Sequence, residues 1–135
     1  MSTTRTAPYA ILFLRLVLGG LFLAHCAIKF FMFTPAGTAA YFVSLGLPPM
    51  LAYITMLWEA LGGLALIFGI WPRWAALAVV PILIGAIVTV HAKAGFLFSN
   101  DGGGWEFPAL WIAALLVLAG LEDGPATLLP SPPRS

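Results

Sequence analysis

The chain has 135 residues, of which 61% are hydrophobic and 8% are charged, and its formal net charge is +1. Soluble domains carry roughly 25% charged residues, so this composition excludes a soluble globular protein and predicts an integral membrane protein. A surface with so few basic residues cannot neutralise several phosphates, which excludes a nucleic-acid-binding protein.

Four apolar segments follow one another along the chain, and each is close to the ~20 residues that a helix needs to cross a bilayer. Lipid offers the backbone no hydrogen-bond partner, and none of the segments alternates as barrel strands do, so all four are predicted to be helices. The expected fold is a single domain, 1–135, an all-α integral membrane protein with a four-helix antiparallel transmembrane bundle. The predicted transmembrane helices cover residues 9–33, 50–70, 72–92 and 105–121.

The connection after the first helix contains a short helix of its own. Thr34 is expected as its N-cap, and Gly46 is expected to end it in the left-handed conformation. This helix, about residues 35–45, is too short to span the membrane and is expected to lie on its surface. The proline-rich tail, about residues 124–135, is expected to be disordered.

Basic residues are distributed unevenly between the two sides of the predicted bundle. Cytoplasmic loops of membrane proteins carry an excess of Lys and Arg. Both termini are therefore expected in the cytoplasm. The residues assigned to the cytoplasmic side are Arg5, Arg15, Arg73 and Arg134, against Lys29 and Lys93 on the other side.

The ionisable residues inside the apolar segments are the main candidates for function. A charge that faces lipid at mid-depth costs at least ~2.5 kcal/mol, so each such residue needs a partner, water or neutralisation. Arg15, His25 and Lys29 share one face of the first helix and are expected to point into the bundle. Helix rise places four of the side chains near the outer end of the bundle. They are His25, Lys29, His91 and Glu106.

Glu59 lies near the middle of the second helix, where no polar residue neighbours it along that helix. Arg15 and His25 are its candidate partners. Three interpretations remain open: an ion pair that only fixes the helix register, a pair with His25 that binds a polar ligand or relays a proton, and a protonated carboxyl without a role.

The outer mouth of the bundle also allows more than one interpretation. Lys29 either pairs with Glu106 or extends to water, and His91 either closes a pocket or caps its helix. His25, His91 and Glu106 have side chains of the type that bind metals, but their spacing carries no metal signature, so no metal is predicted. Cys26 points about 100° away from His25 on the helix and is expected to be a packing residue.

Five short motifs are spread over nearly the whole chain. They are the H-x-x-x-K segment in LAHCAIKFF, the LGLP turn, the E-x-x-G-G segment in WEALGGLAL, an arginine after the second helix, and V-H…G-F…G-G-x-E-F. Together they resemble the DoxX family of small bacterial membrane proteins with four helices. The resemblance singles out His25, Lys29, Glu59, Gly62, Gly63, Arg73, His91 and Glu106.

The chain departs from the family pattern at Cys26, where the family usually has glycine. A side chain there is expected to narrow the contact between the first helix and a neighbour. Among the residues singled out, five are the candidate ligand-binding set: His25, Lys29, Glu59, His91 and Glu106. The structural set, which forms ion pairs or lets helices approach, is Arg15, Arg73, Gly62 and Gly63.

The resemblance implies a multi-pass protein of the bacterial inner membrane that takes part in redox chemistry. A relative, DoxD, is a membrane subunit associated with thiosulfate:quinone oxidoreduction. Quinone is thus the candidate cofactor. The candidate partners are the lipid bilayer, a membrane or soluble redox protein, and a second copy of the chain. No self-contained catalytic motif, such as CxxC, GxGxxG or HExxH, is present in the sequence.

Three functions remain open. The first is a redox-linked accessory subunit whose pocket near the outer leaflet binds a quinone-like or other small molecule. In that pocket histidine and lysine would donate hydrogen bonds to a carbonyl oxygen, and apolar walls would hold the tail. The second is a non-catalytic structural or assembly partner, in which the buried charges only set the helix register. The third is a small transporter or proton-coupled carrier, for which four short unbroken helices leave little room.

Overall fold

The computed structural model describes residues 3–132, whose regular secondary structure is helical apart from one isolated bridge between Ile70 and Leu129. Helix α1 continues directly into a π-helical turn, and α4 continues into a π-helical turn and then a 3₁₀ turn. The α-helices are α1 (Thr3–Ala27), α2 (Pro35–Ser44), α3 (Pro49–Phe68), α4 (Pro72–Ala86) and α5 (Glu106–Gly120). The additional turns are Ile28–Met32 after α1, and Ile87–His91 and Ala92–Ala94 after α4.

Three helical segments in the described part of the chain are long and apolar enough to cross a membrane: Arg5–Met32, Pro49–Phe68 and Pro72–Ala94. The all-helical membrane fold is therefore confirmed. The fourth predicted span, 105–121, corresponds to α5, which has 15 residues. At ~1.5 Å of rise per residue, α5 covers ~22 Å, less than the ~30 Å of hydrocarbon in a typical bilayer, so the count of four spans is not confirmed.

Helix α2 begins and ends as the sequence predicts. The Thr34 hydroxyl oxygen accepts a hydrogen bond from the Gly37 N–H at 3.1 Å, which confirms Thr34 as the N-cap. Gly46 follows the helix with a φ of +83°, a left-handed conformation that glycine adopts without strain. The turn therefore returns the chain toward the start of α3.

The helices pack as α1 on α3, α3 on α4 and α4 on α5, with α2 resting on α3. A Cβ atom added at Gly19 would lie 2.7 Å from the Gly63 carbonyl oxygen, and one at Gly63 would lie 2.9 Å from the Gly19 oxygen. The backbones of α1 and α3 thus touch at this crossing. A Cβ at Gly62 would collide with Val79 of α4, so this glycine lets α3 approach α4.

Arg15 of α1 is fully buried at the end of the bundle where α3 finishes. Its guanidinium donates to the Leu66 and Ile67 carbonyl oxygens at 3.0 and 3.3 Å, in the last turn of α3. Three more bonds, of 2.7 to 3.1 Å, reach carbonyls of the segment that follows α5. Those carbonyls belong to Asp123, Pro125 and Ala126.

The segment after α5 is held along this end of the bundle. Leu129 exchanges backbone hydrogen bonds with the turn before α4, its N–H with Gly69 at 3.1 Å and its oxygen with Trp71 at 2.8 Å. The expectation of a disordered tail is wrong for residues 124–132, because Arg15 and this turn offer their backbone specific partners. Residues 133–135 lie outside the described part of the chain. Arg73 makes a further hydrogen bond at this end of the bundle, from its Nε to the Ala119 oxygen at 3.4 Å.

Candidate functional site

A cavity of about 740 Å³ lies at the opposite end of the bundle from Arg15. Its volume falls within the roughly 300–1,000 Å³ of small-molecule sites. The end of α1, helix α2, the first half of α3, the end of α4 and the start of α5 all contribute to its walls, which are mostly apolar. Four of the five predicted ligand-binding residues line it: His25, Lys29, Glu59 and His91.

Lys29 and Glu59 form an ion pair in the wall of the cavity. The Lys29 Nζ lies 2.7 Å from Glu59 Oε1, and Glu59 is only 3% exposed. The predicted partners of Glu59 were wrong. Arg15 is engaged at the other end of the bundle, whereas the flexible stem of Lys29 lets its ammonium reach α3. The alternative pair of Lys29 with Glu106 is not formed.

Both Lys29 and His91 lie on π-helical turns, which occur frequently at functional sites. In the first of these turns, the Phe33 N–H donates to the Ile28 oxygen at 3.1 Å. The Thr38 hydroxyl of α2 donates to the Lys29 carbonyl oxygen at 3.1 Å. Thr38 therefore fastens α2 to the turn that presents the Lys29 side chain to the cavity.

Each of the two histidines is anchored through one ring nitrogen. His25 Nδ1 lies 2.9 Å from the Leu21 oxygen, and His91 Nδ1 lies 2.7 Å from the Gly103 oxygen. A carbonyl oxygen can only accept, so Nδ1 must carry the proton in both rings. In the neutral ring Nε2 is then an acceptor. A neutral ring anchored in this way cannot donate to a ligand carbonyl through Nε2, whereas a doubly protonated ring can.

One wall of the cavity is a chain of ring contacts that begins and ends with a histidine. The centroids of successive rings are 5.0, 5.8, 5.2 and 6.0 Å apart. In order, the rings are His25, Trp111, Phe107, Phe98 and His91. Sequence reasoning missed the three central rings, although Phe107 and Trp111 are four residues apart, a spacing that places them on one face of α5.

Trp111 also carries an unsatisfied polar atom. The residue is 5% exposed and lines the cavity, yet its indole Nε1 has no hydrogen-bond partner in the described structure. Buried tryptophan N–H groups usually find an acceptor, because an unpaired donor loses the hydrogen bond it makes to water. Trp111 thus contributes to the cavity wall, while its Nε1 is buried and unsatisfied.

Comparison with known proteins identifies the family. The DoxX family model matches residues 10–92 of this chain. The chain belongs to the DoxX family. It is also similar to a protein of Bacillus subtilis (strain 168) named "putative oxidoreductase CatD", with 36% identity over 108 residues, which cover 80% of this chain and 75% of that protein. No solved structure matches the chain significantly.

The part of this DoxX protein that matches the family model contributes the ionisable side chains of the cavity. His25, Lys29, Glu59 and His91 all fall within residues 10–92. The three central rings of the aromatic wall, Phe98, Phe107 and Trp111, lie beyond the matched part. The cavity therefore combines a family-defined polar side with an aromatic wall that the rest of the chain supplies.

Glu106 lies behind this wall and does not line the cavity of the DoxX protein. Its Oε1 accepts a hydrogen bond from the Phe98 N–H at 3.2 Å. The same loop is closed by backbone bonds from Gly104 to the Leu97 oxygen and from Trp105 to the Gly95 oxygen. Glu106 therefore positions the loop that carries the Phe98 ring.

Two sequence-based hypotheses remain, a metal site at the outer mouth and a packing role for Cys26. Within residues 3–132, no three His, Cys, Asp or Glu side chains lie close enough to hold a metal ion, so His25, His91 and Glu106 do not form a metal site. Cys26 donates from Sγ to the Met56 oxygen of α3 at 3.3 Å. Its side chain thus lies in the contact between α1 and α3.

Proposed function

We propose that this DoxX protein is a redox-linked accessory subunit of the bacterial inner membrane that binds a quinone-type molecule in the cavity. The observation that carries the proposal is the composition of the cavity: apolar walls, a chain of aromatic rings, and a few polar groups at fixed positions. The similarity to a protein named as an oxidoreductase supports the same assignment. In this proposal the cavity faces the outer leaflet, and both termini are cytoplasmic.

The residues of the cavity fit the chemistry of a quinone. The aromatic wall offers planar surface against which a flat ring can stack, and apolar residues of α3 and α4 can hold an isoprenoid tail. Lys29 uses one N–H of its ammonium on Glu59 and keeps further donors for a ligand oxygen. When bound, a quinone would supply electron and proton transfer to a partner redox protein.

Glu59 has a positioning role in this proposal. Its carboxylate holds the Lys29 ammonium at 2.7 Å and neutralises it inside a largely apolar wall. Without that carboxylate, the partly exposed ammonium would turn toward water. The pair therefore keeps a charged donor at a fixed place in the cavity.

A matched pair of glycine substitutions tests the proposal. A Cβ added at either Gly85 or Gly20 meets nothing within 4 Å, but only Gly85 lines the cavity. We expect Gly85→Leu to fill part of the cavity while the protein stays folded, and Gly20→Leu to leave it open. The measurement is mass spectrometry of the quinones that co-purify with each variant in lipid nanodiscs, compared with empty nanodiscs.

The wild-type protein and Gly20→Leu are expected to retain quinone above the level of empty nanodiscs, and Gly85→Leu is expected to lose it. Equal retention by the two variants would show that quinone binds elsewhere. If the wild-type protein retains none, even after incubation with decylubiquinone, the proposal is wrong.

A second candidate is a non-catalytic assembly partner, which the ion pair itself favours. Lys29 and Glu59 join α1 to α3 and satisfy each other, as a purely structural pair would. In that case Glu59→Gln would lower the stability of the protein or of its complex, and no quinone would be recovered from the wild-type protein. The same mass spectrometry therefore separates the two candidates.

A further inference from the structure

The polar groups of the cavity differ in whether they donate a hydrogen bond to a ligand or accept one from it. Lys29 Nζ is a donor at the cavity surface, and Trp111 Nε1 is an unpaired donor buried within the wall. His25 and His91 each use their Nδ1 proton on a backbone carbonyl, which leaves Nε2 as an acceptor in the neutral ring. Among the described contacts, neither Nε2 atom has a partner. The cavity therefore offers both donors and acceptors.

Only the acceptors can tell the two redox states of a quinone apart. A quinone carries carbonyl oxygens, which accept hydrogen bonds and cannot donate them. A hydroquinone carries hydroxyl groups, which accept through oxygen and also donate their proton. Lys29 and Trp111 can therefore serve either state, whereas a neutral histidine Nε2 can bond only to the hydroquinone.

The hydroxyl groups that line the cavity do not alter this balance. Tyr41 and Thr55 line it, and a free hydroxyl both donates and accepts. Thr38 and Thr89 also line it, but their hydroxyl protons are bonded to backbone carbonyls, so their oxygens can only accept from a ligand. The second oxygen of the Glu59 carboxylate is a further acceptor, since Lys29 bonds to Oε1. The acceptors that distinguish the states are therefore the His25 and His91 rings, the Glu59 carboxylate and these two threonine oxygens, and all of them favour a ligand with hydroxyl hydrogens.

We propose that the cavity binds the hydroquinone state of an aromatic quinone in preference to the oxidised state. This inference rests on the proposed function, because it assumes that a quinone-type ring occupies the cavity. The two histidines stand at the two ends of the ring-contact chain, so each can accept from a hydroxyl of a ring stacked on that wall. The row of ring contacts between the two histidines is therefore where the hydroquinone would bind.

The preference can be measured with two pairs of probes, decylubiquinone with decylubiquinol and menadione with menadiol. The full-length protein is placed in lipid nanodiscs without oxygen, and the bound ligand is measured by equilibrium dialysis against empty nanodiscs. One additional hydrogen bond corresponds to about a tenfold change in affinity, so we expect the wild-type protein to bind the hydroquinone about tenfold more tightly.

Histidine variants test whether the ring nitrogens cause this preference. His25→Phe and His91→Phe keep a ring in the wall and remove the acceptor, so the ratio of the two affinities should fall toward one. His25→Asn is a second variant whose amide N–H can still donate toward the Leu21 oxygen and whose amide oxygen can still accept, so it should keep part of the preference. Lys93→Ala, outside the cavity, should keep the wild-type ratio.

The outcomes separate the two proposals. If neither redox state binds to the wild-type protein, the proposed function is wrong and the preference is wrong with it. If both states bind equally, or the quinone binds more tightly, the proposed function stands and the preference is overturned. If the full preference persists in both His25→Phe and His91→Phe, the ring nitrogens do not cause it, and the inference is also overturned.

Discussion

The two ends of the bundle each contain a basic side chain of the first helical segment, Arg5–Met32, and the two side chains have different partners. Arg15 is fully buried and donates to five backbone carbonyls, without an acidic side chain bonded to it. Lys29 is 24% exposed and pairs with one carboxylate beside a cavity. All three guanidinium nitrogens of Arg15 donate to the protein's own backbone. The Lys29 ammonium makes one such bond and keeps N–H donors available for a ligand.

The remaining polar groups follow the same division. At the Arg15 end, the carbonyls of the last turn of α3 lie at the negative end of the helix dipole, where a cation is stabilised. At the Lys29 end, Trp111 Nε1 and the Nε2 atoms of the histidines have no protein partner. The Arg15 end is therefore fully bonded within the protein, whereas the Lys29 end keeps polar atoms unbonded, as the proposed function requires.

The largest expected effect is the loss of Arg15. In Arg15→Leu, the carbonyls of α3 and of the segment after α5 lose a shared donor, and we expect the unfolding free energy to fall by about 3–5 kcal/mol. Arg15→Lys should recover only part of this loss, because an ammonium cannot reproduce the planar fork. Unfolding in mixed micelles measures the effect, and limited proteolysis reports release of the tail.

Arg5→Ala is the matched control, since Arg5 lies on the same helix and is exposed. It should leave both stability and proteolysis unchanged. Wild-type stability in Arg15→Leu would mean that the tail does not depend on the guanidinium.

The next largest effect is expected from the ion pair. Lys29→Met leaves the buried Glu59 carboxylate without its partner, and we expect a loss of about 3 kcal/mol. Adding Glu59→Gln to Lys29→Met removes the isolated charge, so the double variant should be more stable than Lys29→Met alone. A double-mutant cycle on unfolding free energies measures the coupling, and simple additivity of the two changes would contradict a direct pair.

The contrast between the two ends also shows what sequence can predict. Apolar length and spacing were sufficient for the helices and for the shared face of Arg15, His25 and Lys29, because a lipid environment strongly constrains both. In the structure Arg15 is fully buried, as are Leu18 and Phe22 on the same face, at no more than 4% exposure. The depth estimated from helix rise also placed His25, Lys29 and His91 correctly at one end of the bundle.

Partners were harder to predict than positions. Arg15 bonds to backbone carbonyls of the tail, and every residue type provides a carbonyl, so no sequence pattern marks them. The pairing of Lys29 with Glu59 depends on a π-helical turn and on how closely α1 approaches α3. Neither quantity appears in the hydrophobic periodicity, which describes one helix at a time.

A smaller effect is expected from Thr38, which links α2 to the π-helical turn. Its hydroxyl bonds to the Lys29 and Thr34 oxygens at 3.1 and 2.9 Å, and the residue is 4% exposed. Thr38→Val keeps the shape and removes the donor, so we expect a loss of about 1 kcal/mol in unfolding free energy. Ser44→Ala, on an exposed part of α2, should change stability less. Equal losses of unfolding free energy in the two variants would mean that the hydrogen bond from Thr38 to the Lys29 oxygen does not stabilise the protein.

A similarly small effect on stability, and a large one on binding, is expected from Trp111→Phe. Because the indole Nε1 has no protein partner, the substitution breaks no internal hydrogen bond, and the smaller ring costs about 1 kcal/mol through the space it leaves. If a ligand oxygen accepts from Nε1, affinities for quinone and hydroquinone should fall together by about tenfold, with their ratio unchanged.

Trp105→Phe, outside the cavity, should alter neither affinity. A change in the ratio for Trp111→Phe would mean that donors as well as acceptors distinguish the redox states, and unchanged affinities would show that the unpaired donor belongs to the packing and has no part in the site.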